Sequence, residues 1–157
     1  MMSDGASLSR FLPDEAATLQ LGADCARSLT APLVIYLQGD LGAGKTTFTR
    51  GLLRALGHTG AVKSPTYAIV ESYPFAHLTL HHFDLYRFST PEEWEDAGLD
   101  DLFGDQSVCL IEWPQQGGEF TPAPDLTLSL NHADSGRHCT VNAHTPNGHK
   151  HLEAWLN

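Results

Sequence analysis

Leu33-Val34-Ile35-Tyr36-Leu37-Gln38-Gly39-Asp40-Leu41-Gly42-Ala43-Gly44-Lys45-Thr46-Thr47 decides the fold of this chain. From Gly39 to Thr46 it follows the phosphate-binding pattern G-x-x-x-x-G-K-[ST]. Glycines at 39, 42 and 44 let the backbone turn tightly, so that successive N–H groups point at one anion. Lys45 brings a positive charge to the terminal phosphates, and the Thr46 hydroxyl suits a Mg²⁺ ion. At average glycine usage of about 7%, chance would produce the pattern in on the order of one chain per few hundred. Leu33 to Leu37 reads as a buried strand and Thr46 to Leu56 as a helix, closed by Gly57. Strand, glycine loop and helix N-terminus is the order that phosphate binding needs. The reading is a nucleoside triphosphate site contacted by Leu41, Gly42, Ala43, Gly44, Lys45, Thr46 and Thr47.

Working outward, residues 13 to 29 predict a helix, with Asp14 and Glu15 at its start and Ala16, Leu19, Ala23 and Ala26 at helical spacing. After the glycine-loop helix, Pro65 fixes a turn over Val62 to Tyr67. Ala68 to Tyr73 and Leu78 to Phe83 read as two strands joined near Pro74. Pro91 to Asp96 carries helix-start signals, proline first and acids in the first turn. Val108 to Ile111 is a short apolar strand ending at Glu112, and Pro114 to Pro124 reads as a loop. Leu126 to Leu130 and His138 to Ala143 alternate like strands around an Asp134-Ser135-Gly136 turn, and residues 150 to 156 predict a short helix. This order predicts an α/β fold, a P-loop NTPase-like three-layer sandwich on a mixed, partly parallel sheet, with residues 1 to 157 as one domain.

The bulk numbers narrow the function. The chain has 157 residues and a net charge of −10, from 9 Lys+Arg against 19 Asp+Glu. Such a surface repels phosphate backbones, which disfavours a direct grip on nucleic acid and points to a partner for any work on it. The longest apolar run is five residues, Leu33 to Leu37, so no membrane-spanning helix is expected. The N-terminus lacks the basic region and apolar core of a secretory signal. Cys25, Cys109 and Cys139 read as reduced, buried thiols of a cytoplasmic protein rather than metal ligands. The nine histidines repeat no metal-ligand spacing and read as a solvent-exposed scatter.

Thr46 needs a carboxylate to hold a metal ion productively. Glu112 ends an apolar strand and Asp84 closes Leu80-His81-His82-Phe83, so both acids fall at strand ends. Glu112 is assigned to the metal and Asp84 to water or metal support, and the reverse assignment stands open on the residues alone. Lys45, Asp84 and Glu112 form the catalytic set. Ser64 and Thr66, on the proline-set turn, are placed to sense a γ-phosphate. Lys63 and Arg87 are the nearby bases that could serve the transition state, and Trp113 is either a lid or a strand-end core aromatic.

Gly39 to Thr47, Ser64-Pro65-Thr66-Tyr67, His82-Phe83-Asp84-Leu85-Tyr86-Arg87 and Ile111-Glu112-Trp113-Pro114 together resemble the TsaE (YjeE) family of small bacterial P-loop ATPases. Order and spacing agree from about Pro13 to Pro124. The resemblance implies ATP on the glycine loop, Mg²⁺ on Thr46 and Glu112, a requirement for Asp84, and a switch at Ser64 to Thr66. It implies that Glu15 and Gly136 flank the nucleotide. It further implies a supporting role in threonylcarbamoyladenosine formation on tRNA, with TsaB and TsaD as partners and weak hydrolysis by the chain alone.

Three other readings compete. A small-molecule kinase should carry an arginine-rich lid, and few bases follow Arg87. A GTP switch should carry N-K-x-D, which is absent. A nucleotide-sensing adaptor without catalysis would use the same loop, and Asp84 is the residue that separates it from an ATPase.

Overall fold

A computed structural model describes residues 7–40 and 42–156. Seven strands form one sheet: β1 (Ser7–Leu12), β2 (Leu33–Gly39), β3 (Val70–Pro74), β4 (Thr79–Asp84), β5 (Ser107–Glu112), β6 (Leu126–Ala133) and β7 (Gly136–Ala143). Their spatial order is β1-β7-β6-β2-β5-β4-β3. The four central strands, β6, β2, β5 and β4, run parallel. At both edges the sheet turns antiparallel, through β3 on one side and through β7 and β1 on the other.

Helices α1 (Glu15–Arg27), α2 (Lys45–Leu56) and α4 (Pro146–Leu156) cover one face. The short α3 (Glu93–Asp96) and 3₁₀ turns at Leu99–Leu102 and Pro114–Phe120 flank the other. Alternate residues of β2 face opposite layers. Leu33, Ile35 and Leu37 enter the core beneath α1 and α2, while Val34 and Tyr36 pack against Phe83, Trp94 and Ile111. A strand covered on both sides explains the unbroken apolar run. The three-layer α/β architecture agrees with the sequence reading.

Helix α1 starts on Asp14, whose carboxylate accepts from the Ala17 N–H at 2.9 Å. Its buried stripe is Thr18, Leu21, Gly22 and Cys25. The expected stripe through Ala16, Leu19 and Ala23 instead lines an open groove beside α2. The two helices cross with backbone against backbone. A Cβ on Gly51 would lie 2.9 Å from Leu19 Cα, and one on Gly22 would lie 2.7 Å from the Leu52 nitrogen.

Four local features depart from the sequence reading. Edge strand β1 was not anticipated, and it exists because Ser7 to Leu12 pair with Arg137 to Asn142. Strand β3 begins at Val70 rather than Ala68, because the Ile69 N–H donates to the Pro65 carbonyl at 2.7 Å and extends the turn. The expected loop after Pro114 is partly 3₁₀-helical, and α4 begins at Pro146 rather than residue 150.

No helix among the described residues is long and apolar enough to cross a membrane. Cys25, Cys109 and Cys139 are buried and unpaired, and burial pushes each thiol up to about 12. In mildly alkaline buffer the native protein should leave a thiol-labelling reagent unreacted, and the cysteines should label only after denaturant is added. The folded thiols keep protons that unfolded thiols lose. Stability should therefore fall as pH rises from 9 toward 12, seen as a falling urea midpoint.

Candidate active site

The carboxyl ends of β2, β5 and β4 lie side by side, and there Lys45, Asp84 and Glu112 come together. Leu37 pairs with Glu112 and Glu112 with Asp84, so the two acids occupy neighbouring strand ends. Beyond Gly39 the chain enters the glycine loop. Gly39 has φ +142, and a Cβ there would run into the Leu130 carbonyl of neighbouring β6, so no other residue fits. Gly44 caps α2 with φ 105 and no side chain accepts from the first-turn amides. Those N–H groups and the positive end of the helix dipole are left for an anion.

Lys45 Nζ donates to the Gly39 carbonyl at 2.9 Å and lies 3.8 Å from Glu112 Oε1, with both side chains about nine-tenths buried (11% and 10% exposed). The other Glu112 oxygen, Oε2, is 2.6 Å from His82 Nε2. Asp84 is buried as well. Its Oδ1 accepts from the Tyr86 N–H at 3.0 Å and its Oδ2 from the Thr66 hydroxyl at 3.1 Å. Ser64 Oγ lies 2.8 Å from Thr66 Oγ1. A chain of hydrogen bonds thus runs from the proline-set turn to the acid.

Among the clefts beside the glycine loop, two share Gly42. The larger, about 620 Å³, is lined by Lys45, Thr46, Ser64, Thr66, Asp84 and Glu112, with Tyr86 and Trp113 at its mouth. The smaller, about 290 Å³, is lined by Glu15, Gly44, Thr47, Gly136 and Arg137. The structure therefore brings Lys45, Thr46, Asp84, Glu112, Ser64 and Thr66 together on one side, and Glu15, Thr47 and Gly136 on the other. Ala43 is buried beneath the loop. Leu41 lies outside the described residues.

Thr46, Asp84 and Glu112 form an oxygen-only donor set, which suits Mg²⁺, an ion that takes one or two protein carboxylates and completes its shell from phosphates and water. No cluster of three His, Cys, Asp or Glu side chains able to hold a metal occurs among the described residues.

Trp113 is 37% exposed and meets Tyr86 in a tilted ring contact at 5.0 Å between centroids, so the core-aromatic alternative fails. Arg87 lies over the Tyr67 ring at 4.1 Å, and neither it nor Lys63 lines the cleft. Two groups escaped the sequence reading. Arg137, on the hairpin after Gly136, donates to the Gly42 carbonyl at 3.2 Å and ties the loop to β7; a lone base after a turn glycine was its only signal. The exposed-histidine reading is also corrected: His81, His82 and His151 are buried. His81 and His82 lie in a strand covered on both faces, and burial lowers the pKa of His81.

A glycine loop set between a central parallel strand and the helix it feeds, beneath acids on adjacent strand ends, defines the P-loop type of α/β protein. Residues 12–139 match the model of the family Threonylcarbamoyl adenosine biosynthesis protein TsaE. The chain belongs to the TsaE family. It is 42% identical over 156 residues to the tRNA threonylcarbamoyladenosine biosynthesis protein TsaE of Haemophilus influenzae, covering 96% of this chain and 99% of that one. It is 45% identical over 111 residues to the protein of that name from Bacillus subtilis, covering 70% and 69%. The crystal structure of Bacillus subtilis YdiB superposes with a TM-score of 0.83 at 30% identity, over 99% of this chain and 97% of the other.

Proposed function

We propose that this chain is a Mg²⁺-dependent ATP-binding and ATP-hydrolysing subunit that supports threonylcarbamoyladenosine formation on tRNA. It acts in the cytoplasm with TsaB and TsaD homologues and reaches tRNA only through them. The observation that carries the reading is the register of Asp84 and Glu112 at the foot of the glycine loop, with Lys45 between loop and acid. Family membership supplies the pathway, and the acidic surface agrees with an indirect contact to tRNA.

Each residue then has a task. Lys45, resting on the Gly39 carbonyl, is free to exchange that neutral partner for the β- and γ-phosphates. Thr46 and Glu112 would hold Mg²⁺, which when bound neutralises charge growing on the phosphate oxygens. Asp84 accepts from Thr66 and faces the cleft, where it orients the attacking water or supports the metal's waters. Thr66 and Ser64 report γ-phosphate departure to the proline-set turn through the same hydrogen bonds. Lys45 is the one base among the cleft's described lining residues. A transition state short of cations predicts slow hydrolysis alone and acceleration when a partner supplies the missing groups.

The test is steady-state ATP hydrolysis with and without TsaB and TsaD. Stimulation is expected, and Asp84→Asn should remove about 100-fold or more of the stimulated rate while nucleotide binding persists. Unchanged hydrolysis on adding partners would sink the partner-activated reading. If Asp84→Asn loses hydrolysis yet supports tRNA modification fully, the adaptor reading replaces it.

A further inference from the structure

His82 sits beneath the cleft, 1% exposed, with no role in the scheme above. Its Nε2 lies 2.6 Å from Glu112 Oε2, and its Nδ1 is buried with no hydrogen-bond partner. A histidine kept only for packing would not leave a buried ring nitrogen unpaired, since an apolar side chain fills the same volume without that cost. The single bond to Glu112 is therefore what the imidazole is there to make. A carboxylate's last torsion is broad, so an unrestrained Glu112 could present one oxygen or both toward Lys45 and the cleft. With Oε2 held by the imidazole N–H, Oε1 is the oxygen presented on the Lys45 side. On β4, His82 and Asp84 share a face, and Asp84 pairs with Glu112 on β5. One strand thus delivers an acid to the cleft and, two residues earlier, the group that aims the other acid.

Resting on the Mg²⁺ reading above, we propose that His82 is the positioning residue of Glu112, fixing it as a one-oxygen ligand of the nucleotide-bound divalent cation. Losing such a supporting hydrogen bond typically costs about 10- to 100-fold in metal affinity. The probe is Mn²⁺ binding to the full chain carrying a non-hydrolysable ATP analogue, read by electron paramagnetic resonance. A fluorescent nucleotide in EDTA reports metal-free affinity. His82→Phe removes the donor, His82→Asn keeps polarity but is too short to reach, and His82→Gln restores an N–H near the Nε2 position.

Phe and Asn should each weaken Mn²⁺ by about 10- to 100-fold with metal-free nucleotide affinity unchanged, and Gln should recover most of it. Wild-type Mn²⁺ affinity in Phe or Asn overturns the proposal. So does a parallel loss of metal-free nucleotide affinity in all three variants, which marks a structural role. If Glu112→Gln loses Mn²⁺ while Phe and Asn do not, the proposal alone falls. If the wild-type chain with nucleotide binds no Mn²⁺, the Mg²⁺ reading falls and takes the proposal with it.

Discussion

Replacing Lys45 with alanine should cut partner-stimulated ATP hydrolysis by at least about 100- to 1000-fold, the usual cost of removing one charged stabiliser from a preorganised site. Lys45 is already placed without nucleotide. Its ammonium is held between the Gly39 carbonyl and Glu112, nearly buried, so it stands beside the glycine loop before any phosphate arrives. It therefore spends little on reorganisation when charge develops, and its surroundings weaken the attraction less than water would. Removal also leaves Glu112 buried with only His82 opposite it, a poorly compensated charge that disturbs the site. Lys45→Arg should not rescue, because the planar guanidinium does not reproduce a compact ammonium at that spot. Rate and fluorescent-nucleotide affinity should both be measured. A variant keeping more than about a tenth of the rate would place the reacting phosphates away from this loop.

The second large effect lies far from the cleft. Gly51→Val should destabilise the protein by about 3 kcal/mol or more, in the range of severe overpacking. The obstruction is backbone, the Leu19 carbonyl and Cα, and Gly22 meets α2 in the same way from the other side. Neither helix can yield without leaving the sheet. For a chain of this size the melting temperature should drop by roughly 6 to 12 °C. Gly57→Ala is the contrast: φ there is +110 but nothing lies within 4 Å of a Cβ, so only backbone strain of about 1 kcal/mol is expected. Nucleotide affinity should fall in Gly51→Val too, since the smaller cleft is lined by Glu15 at the start of α1 and by Thr47 in the first turn of α2. Equal melting of the two variants would refute the close helix crossing.

What could be read from sequence was what is encoded locally. Gly39 to Thr46 carries its own geometry, the apolar run before Glu112 announces a strand that ends in an acid, and Leu80 to Phe83 before Asp84 gives the same signal more weakly. Their adjacency was less legible, because it depends on β5 lying between β2 and β4, a matter of sheet order. Ser7 to Leu12 shows the limit. Its alternation is weak, and it becomes a strand only through partners about 130 residues away. Arg137 reaches Gly42 across 95 positions, a link no local pattern records. His82 had a readable signal, a position inside an expected strand, but histidine spacings that match no metal-ligand pattern read as an exposed scatter.

The sheet order carries one last consequence, for how the chain is made. Strand β2 hydrogen-bonds only to β5 and β6, and the first of these begins at Ser107. A ribosome working at about 5–20 residues per second needs several seconds to pass from Gly39 to that point. Throughout that interval Leu33, Ile35 and Leu37 have neither neighbour, and the loop at Gly39 lacks the strand beside it that fixes its turn. The nascent chain thus exposes its longest apolar run early and completes the surroundings of its glycine loop late. Chaperone shelter and high translation speed should matter more to its yield than to that of a chain whose strands pair in sequence order.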